Sequence, residues 1–142
     1  MEADASPFDP AHHGWTQRPL DGFFSVVGPL WARREADAWA YGLLADARHG
    51  NRAGLVHGGM LMTLIDQAAS AVAWEAVDRK RCVTIQLDTH FIAASRPGQF
   101  IEARSRVARR TAELVFVQTS LSVQGAEIAV ASGIMKVMRK NS

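Results

Sequence analysis

A single carboxylate, Asp66, stands inside a long apolar run that begins His57-Gly58-Gly59 and continues to residue 70. Taking a lone carboxylate out of water is costly unless it is paired or its pKa shifts. A helix that only filled a core would carry Leu or Ala at this position. We therefore expect Asp66 to be buried and to act as a general base or a nucleophile. The alternative is an Asp that a neighbouring hydroxyl or backbone group satisfies.

Gly58 and Gly59 fall at the predicted start of this helix. The first N–H groups of a helix have no partner within it, and the helix dipole is positive there. Since glycine has no Cβ, a substrate carbonyl could approach these amides closely, and the charge it develops on attack would be stabilised. The two glycines could instead serve only a tight turn from loop to helix.

Ser70 lies four positions after Asp66, so both side chains share one face of the predicted helix. Its hydroxyl could hold an attacking water. A small residue chosen for close helix packing is the alternative reading.

Composition excludes several classes of protein. With 142 residues the chain fits one domain, and a net charge of +2 is too small for a general nucleic-acid binder. The single cysteine, Cys82, excludes an internal disulfide, and the five histidines lack zinc-ligand spacing. The acidic N-terminus lacks the apolar segment of a signal peptide, and Asp66 and Gln67 interrupt the one run long enough to span a bilayer. We expect a cytoplasmic protein with neither membrane nor metal.

Residues 1–20 are rich in Pro, Asp and His without a period, so we assign them to an N-terminal tail and residues 21–142 to a single domain. Apolar alternation and turn residues predict one helix and six strands. The helix covers residues 58–77, and the strands cover residues 23–31, 38–44, 82–91, 99–109, 113–124 and 127–138. Short hairpin connections favour an antiparallel sheet packed on one long helix, an α+β fold.

The strand over residues 82–91 alternates without interruption. One face carries Val83, Ile85, Leu87 and Phe91, and the other carries Thr84, Gln86, Asp88 and His90.

This element order resembles the hotdog fold, in which a curved antiparallel sheet wraps a central helix. The motif resembles that of acyl-CoA thioesterases of the phenylacetic-acid-degradation (PaaI-like) type. The matching residues are Asn51, Gly54, the run His57-Gly58-Gly59, and Asp66, with Thr84 near the start of the following strand. The resemblance covers about residues 24 to 138.

The resemblance implies that the chain hydrolyses an acyl- or aryl-CoA thioester to the free acid and coenzyme A. No cofactor is implied, since coenzyme A is part of the substrate. Asn51 and His57 would orient the thioester or support the loop, and Thr84 is a second candidate to hold the attacking water. The arginines at predicted strand ends or turns, Arg96, Arg109 and Arg110, could contact the phosphates of the coenzyme. A non-catalytic acyl-CoA-binding module on the same fold is the alternative.

Gly58 and Asp66 are eight positions apart, or about 12 Å along one helix at ~1.5 Å per residue. A general base must lie within ~3 Å of its proton, or one water away. We therefore expect at least a homodimer, and a homotetramer as the complete assembly. Antiparallel helices related by a two-fold axis would bring Asp66 of one chain to Gly58 of the other.

Overall fold

The computed structural model describes residues 7–139, and in this range seven antiparallel strands form one sheet against a long helix. The described residues form two α-helices and seven strands: α1 (Phe23–Val27), α2 (Gly58–Ala76), β1 (Thr16–Arg18), β2 (Leu30–Glu35), β3 (Ala38–Leu44), β4 (Cys82–Phe91), β5 (Phe100–Arg110), β6 (Leu114–Val123) and β7 (Ala126–Val137). The strand order is β1-β2-β3-β5-β6-β7-β4, so β1 and β4 are the edges. The predicted α+β hotdog fold is confirmed.

The apolar face of helix α2 packs against the sheet. Leu64, Ile65 and Ala68 are completely buried, and they pack against buried residues of the central strands. The helix ends where Asp78 and Arg79 take left-handed φ angles of 55° and 64°. The predicted helix over residues 58–77 is therefore correct to within one residue.

The predicted first strand, residues 23–31, is wrong in its first half. Phe23–Val27 form the short helix α1, and β2 begins only at Leu30. Gly28 and Pro29 separate the two elements, because proline has no N–H to donate to a strand ladder.

The predicted N-terminal tail is part of the fold where the structure describes it. Thr16–Arg18 pair with β2, and Trp15 is buried with its ring edge-on against Phe100. The remainder of that assignment, residues 1–6, lies outside the described residues.

Strand β4 contains a β-bulge that overturns its predicted alternation. Thr84 pairs with Met135 on β7, and Leu87 pairs with Gly133, with the register shift falling between Thr84 and Gln86. Met135 and Gly133 are two positions apart and share a face, so Thr84 and Leu87 do as well. The extra residue, Ile85, inverts the alternation, so Thr84 shares with Leu87 the face that meets α2 instead of lying on the face of Gln86 and Asp88.

Strand β4 is also an unusually apolar edge. It pairs with β7 on one side, and no other described strand pairs with it on the other side. Val83, Ile85 and Phe91 on this strand, and Ile92 just after it, expose between 44% and 56% of their surface. Long apolar edges are normally covered by another chain or element.

Candidate active site

Asp66 and Thr84 form the polar centre of the site. Thr84 Oγ1 donates a hydrogen bond of 2.6 Å to Asp66 Oδ1. The carboxylate has no other hydrogen-bond donor among residues 7–139, so Oδ2 is available to accept a proton. Asp66 is half-buried rather than buried as expected, because its face of α2 points away from the middle of the sheet.

Ser70 is half-buried on the same helical face, and its hydroxyl makes no hydrogen bond within the described residues. The side chain that binds the carboxylate is therefore Thr84 and not Ser70. A role for Ser70 in holding water stays a prediction.

His57 caps α2 with both its side chain and its backbone. His57 Nδ1 accepts the Gly59 N–H at 2.8 Å, and the His57 carbonyl accepts the N–H groups of Met60 and Leu61. The expected pair of glycine donors is therefore reduced to one, since only the Gly58 N–H has no acceptor in residues 7–139. A Cβ on Gly59 would lie 3.0 Å from His57 Nδ1, so this glycine permits the cap.

The Gly58 end of α2 opens into an apolar cleft of about 320 Å³. Phe91 forms one wall, with its ring 3.4 Å from the position that a Cβ on Gly58 would take. The other lining residues are mainly apolar: Leu55, Val56, Leu61, Ile92, Ala93 and Ala94, with Asn51 and Ser95. A mostly apolar cleft with a few polar groups is typical of small-molecule sites. No sequence pattern marks Leu55 or Ile92, because only packing brings them beside Gly58.

Asn51 supports the loop that leads into α2. Its Oδ1 accepts the N–H groups of Ala53 at 2.9 Å and Leu55 at 3.1 Å. Its backbone N–H also donates to the Leu55 carbonyl at 2.7 Å. Of the two roles expected for Asn51, loop support is the one these contacts fit.

The three predicted phosphate-binding arginines do not share one end of α2. Arg96 is exposed and directly follows the cleft residues Ala93, Ala94 and Ser95. Arg110 donates to the carbonyl of Ala76 at the opposite end of α2, roughly 27 Å from Gly58 at ~1.5 Å per residue, and Arg109 beside it is exposed. One chain does not bring the three together.

Among residues 7–139, no three His, Cys, Asp or Glu side chains cluster as metal ligands would. Neither of the described α-helices combines the length and the apolar character needed to cross a membrane.

Several known proteins resemble this chain in sequence or in fold. A family model described as Thioesterase superfamily matches residues 53–129. A curated protein of Pseudomonas aeruginosa, "Putative esterase PA0474", is 30% identical over 111 residues, which are 77% of this chain and 83% of that protein. A mutant of the phenylacetic acid degradation protein PaaI from Thermus thermophilus superposes with a TM-score of 0.72 at 21% identity, covering 83% of this chain and 100% of that one. The BH2602 protein of Bacillus halodurans, solved with CoA, superposes with a TM-score of 0.72 at 22% identity, covering 78% and 74%.

Proposed function

This chain belongs to the Thioesterase superfamily, and from that premise we propose that it is an acyl-CoA thioesterase releasing a free acid and coenzyme A. The observation that carries the proposal is the pairing of Thr84 with Asp66. It fixes one carboxylate oxygen and leaves the other free. The unpaired Gly58 amide beside an apolar cleft supplies the second requirement, a donor for the carbonyl oxygen. The CoA in the BH2602 structure supports the choice of thioester.

The reaction follows from these two groups. The thioester oxygen accepts the Gly58 N–H, and the positive end of α2 stabilises the negative charge that this oxygen develops. Asp66 Oδ2 takes a proton from water, and the resulting hydroxide adds to the carbonyl carbon. The C–S bond then breaks, and the protonated Asp66 returns its proton to the leaving thiolate.

A covalent route uses the same groups. Asp66 attacks the carbonyl carbon itself, the coenzyme A thiolate leaves, and water then hydrolyses the mixed anhydride. Both routes need the carboxylate ionised and oriented. The hydrogen bond from Thr84 serves both.

The complete site takes one group from each of two chains. The edge of β4 supports a dimer, because its unpaired backbone groups and exposed Val83 and Ile85 need a cover. On the face towards α2, β4 runs from Thr84 beside Asp66 to Phe91 beside Gly58, so strand and helix are antiparallel. Two β4 edges that pair about a two-fold axis therefore set two α2 helices antiparallel. Asp66 of one chain then approaches Gly58 of the other and loses its solvent exposure. The homotetramer stays a prediction.

The same two-fold symmetry also brings together predicted phosphate-binding arginines from the two chains. The C-terminal end of α2 in one chain lies towards the N-terminal end of α2 in its partner. Arg109 of one chain and Arg96 of the other are thereby brought to the same end of one cleft. Guanidinium forks bind phosphate oxygens well, so these two are our candidates for the coenzyme phosphates.

Thiol release from a panel of short, medium-chain and aryl acyl-CoA substrates, with the mass in solution measured by light scattering, tests the proposal. We expect turnover of at least one substrate by a dimer or larger assembly. A protein that binds CoA but releases no thiol from any substrate would be a binding module. A fully active monomer would contradict the two-chain site.

A further inference from the structure

Three successive carbonyls at the end of α1 are bound by side chains from a distant turn. Arg48 donates to the carbonyls of Val26 at 2.6 Å and Gly28 at 2.7 Å, and His49 Nε2 donates to the carbonyl of Val27 at 2.6 Å. Both residues belong to one 3-10 turn, Ala47–His49. A helix of five residues is too short to be stable alone, so these contacts and the buried Phe24 side chain together dock α1.

His49 is the buried member of this turn, with 3% of its surface exposed. Its Nδ1 accepts the Asp46 N–H at 3.0 Å. Since a carbonyl can only accept and an N–H can only donate, Nε2 is the donor to Val27 and Nδ1 is the acceptor from Asp46. Both ring nitrogens are therefore fully used within the chain.

The backbone of His49 also contacts the segment that leads into α2, the helix whose first residue, Gly58, carries the candidate N–H donor. The His49 carbonyl accepts the N–H of His57 at 2.7 Å. Gly50 forms an isolated antiparallel bridge with Val56, so the loop between them is closed at its base. His57 caps α2, and the next residue supplies the free N–H. One buried residue thus joins α1 through its side chain and the segment leading into α2 through its backbone carbonyl.

We propose that His49 is a positioning residue that holds the Gly58 N–H in place by locking the loop base to α1. The inference rests on the proposed function, because it assigns a catalytic purpose to this N–H. Donors that stabilise a developing oxyanion must lie within a few tenths of an ångström of their working position. A displacement of about 1 Å, even from a distant change, can reduce turnover about 10²-fold.

Two substitutions distinguish the hydrogen bond that the His49 ring makes through Nε2 from the one that it makes through Nδ1. His49→Phe keeps the aromatic volume and removes both hydrogen bonds. His49→Gln places an amide N–H where Nε2 lies and so keeps the donor to Val27. His12→Asn, at a histidine whose side chain is 81% exposed, is the matched control. We expect His49→Phe to lower kcat about 10²-fold with KM within about twofold, and His49→Gln to recover at least about tenfold of that loss.

A second measurement does not depend on turnover. In ¹H–¹⁵N spectra of the labelled protein, the Gly58 amide signal should shift in His49→Phe and stay unchanged in His12→Asn. A folded His49→Phe protein with parental kcat, or with an unmoved Gly58 signal, would overturn the proposal. If His49→Phe does not fold, the same two readouts on His49→Gln decide, because it still lacks the acceptor for Asp46. A parent protein without thioesterase activity would refute the proposed function, and the amide signal alone would then decide the role of His49.

Discussion

Asp66→Asn is the substitution that tests the proposed chemistry most directly. Asparagine keeps the shape of the side chain and an oxygen that can accept the Thr84 hydroxyl. It can neither take a proton from water nor attack a carbonyl. Loss of a general base lowers turnover roughly 10²–10⁴-fold, which corresponds to about 2.7–5.4 kcal/mol of transition-state stabilisation at ~1.36 kcal/mol per tenfold.

The stability of Asp66→Asn follows from the same hydrogen bond. A bond to a charged acceptor contributes about 1.5–3 kcal/mol and a neutral one about 0.5–1.5, so the exchange costs about 1 kcal/mol. In a chain of this size about 1 kcal/mol shifts Tm by roughly 4 °C. The variant should therefore fold, and it should not be more stable than its parent, because Asp66 already has a partner in Thr84.

Thiol release and thermal melting, measured on the same preparation, decide the matter. KM should change little, because the Gly58 amide still holds the carbonyl. Asp37→Asn, in the exposed turn between β2 and β3, is the matched control and should behave as the parent. An Asp66→Asn protein that melts several degrees lower yet turns over at the parental rate would refute the catalytic role and leave Asp66 structural.

Three further outcomes are expected. Thr84→Val keeps the shape of the side chain but frees the carboxylate to rotate, so kcat should fall by about tenfold with Tm within about 4 °C; unchanged kcat would show that this hydrogen bond does not orient the base. His57→Ala removes the side-chain cap of α2 and should lower the free energy of unfolding by about 0.5–2 kcal/mol in chemical denaturation; an unchanged midpoint would contradict the cap. Hydrogen bonds from Arg104 and then Arg33 hold the pKa of Glu35 at about 2, below its usual 4.5, so its contribution to stability is present above pH 4.5 and lost as the pH falls towards 2. Glu35→Gln should flatten the fall in Tm over that interval, and an unaltered slope would exclude this contribution.

The long helix and most of the sheet could be predicted because their signals are local. Two glycines mark the start of α2 and a run of charges marks its end. Strands β5, β6 and β7 alternate between well-formed turns. Helix α1 could not be predicted, because Phe, Ser and Val in its sequence favour a strand as readily, and the decisive contacts come from Arg48 and His49.

The sequence predicted which residues belong to the site better than it predicted the contacts that they make. The spacing from His57 to Asp66 and the place of Thr84 came from the family resemblance. The use of the Gly59 N–H by His57 could not be foreseen, since an imidazole at this position could as well have faced the substrate. The arginines were predicted by their place at turns, and turns do not reveal which end of a helix they meet.

The bulge in β4 separates two properties that a strand usually couples, its length and the parity of its side chains. Removing Ile85 would join Thr84, opposite Met135, directly to Gln86, opposite Ile134, in an uninterrupted ladder, and Thr84 would stay on the face of the carboxylate. A one-residue deletion at the bulge would thus shorten the strand without changing the face that Thr84 or Leu87 takes. Even-numbered residues face α2 before the bulge and odd-numbered residues face it afterwards, so a relative that lacks the extra residue would align with a one-residue gap here and keep the same residues towards the helix.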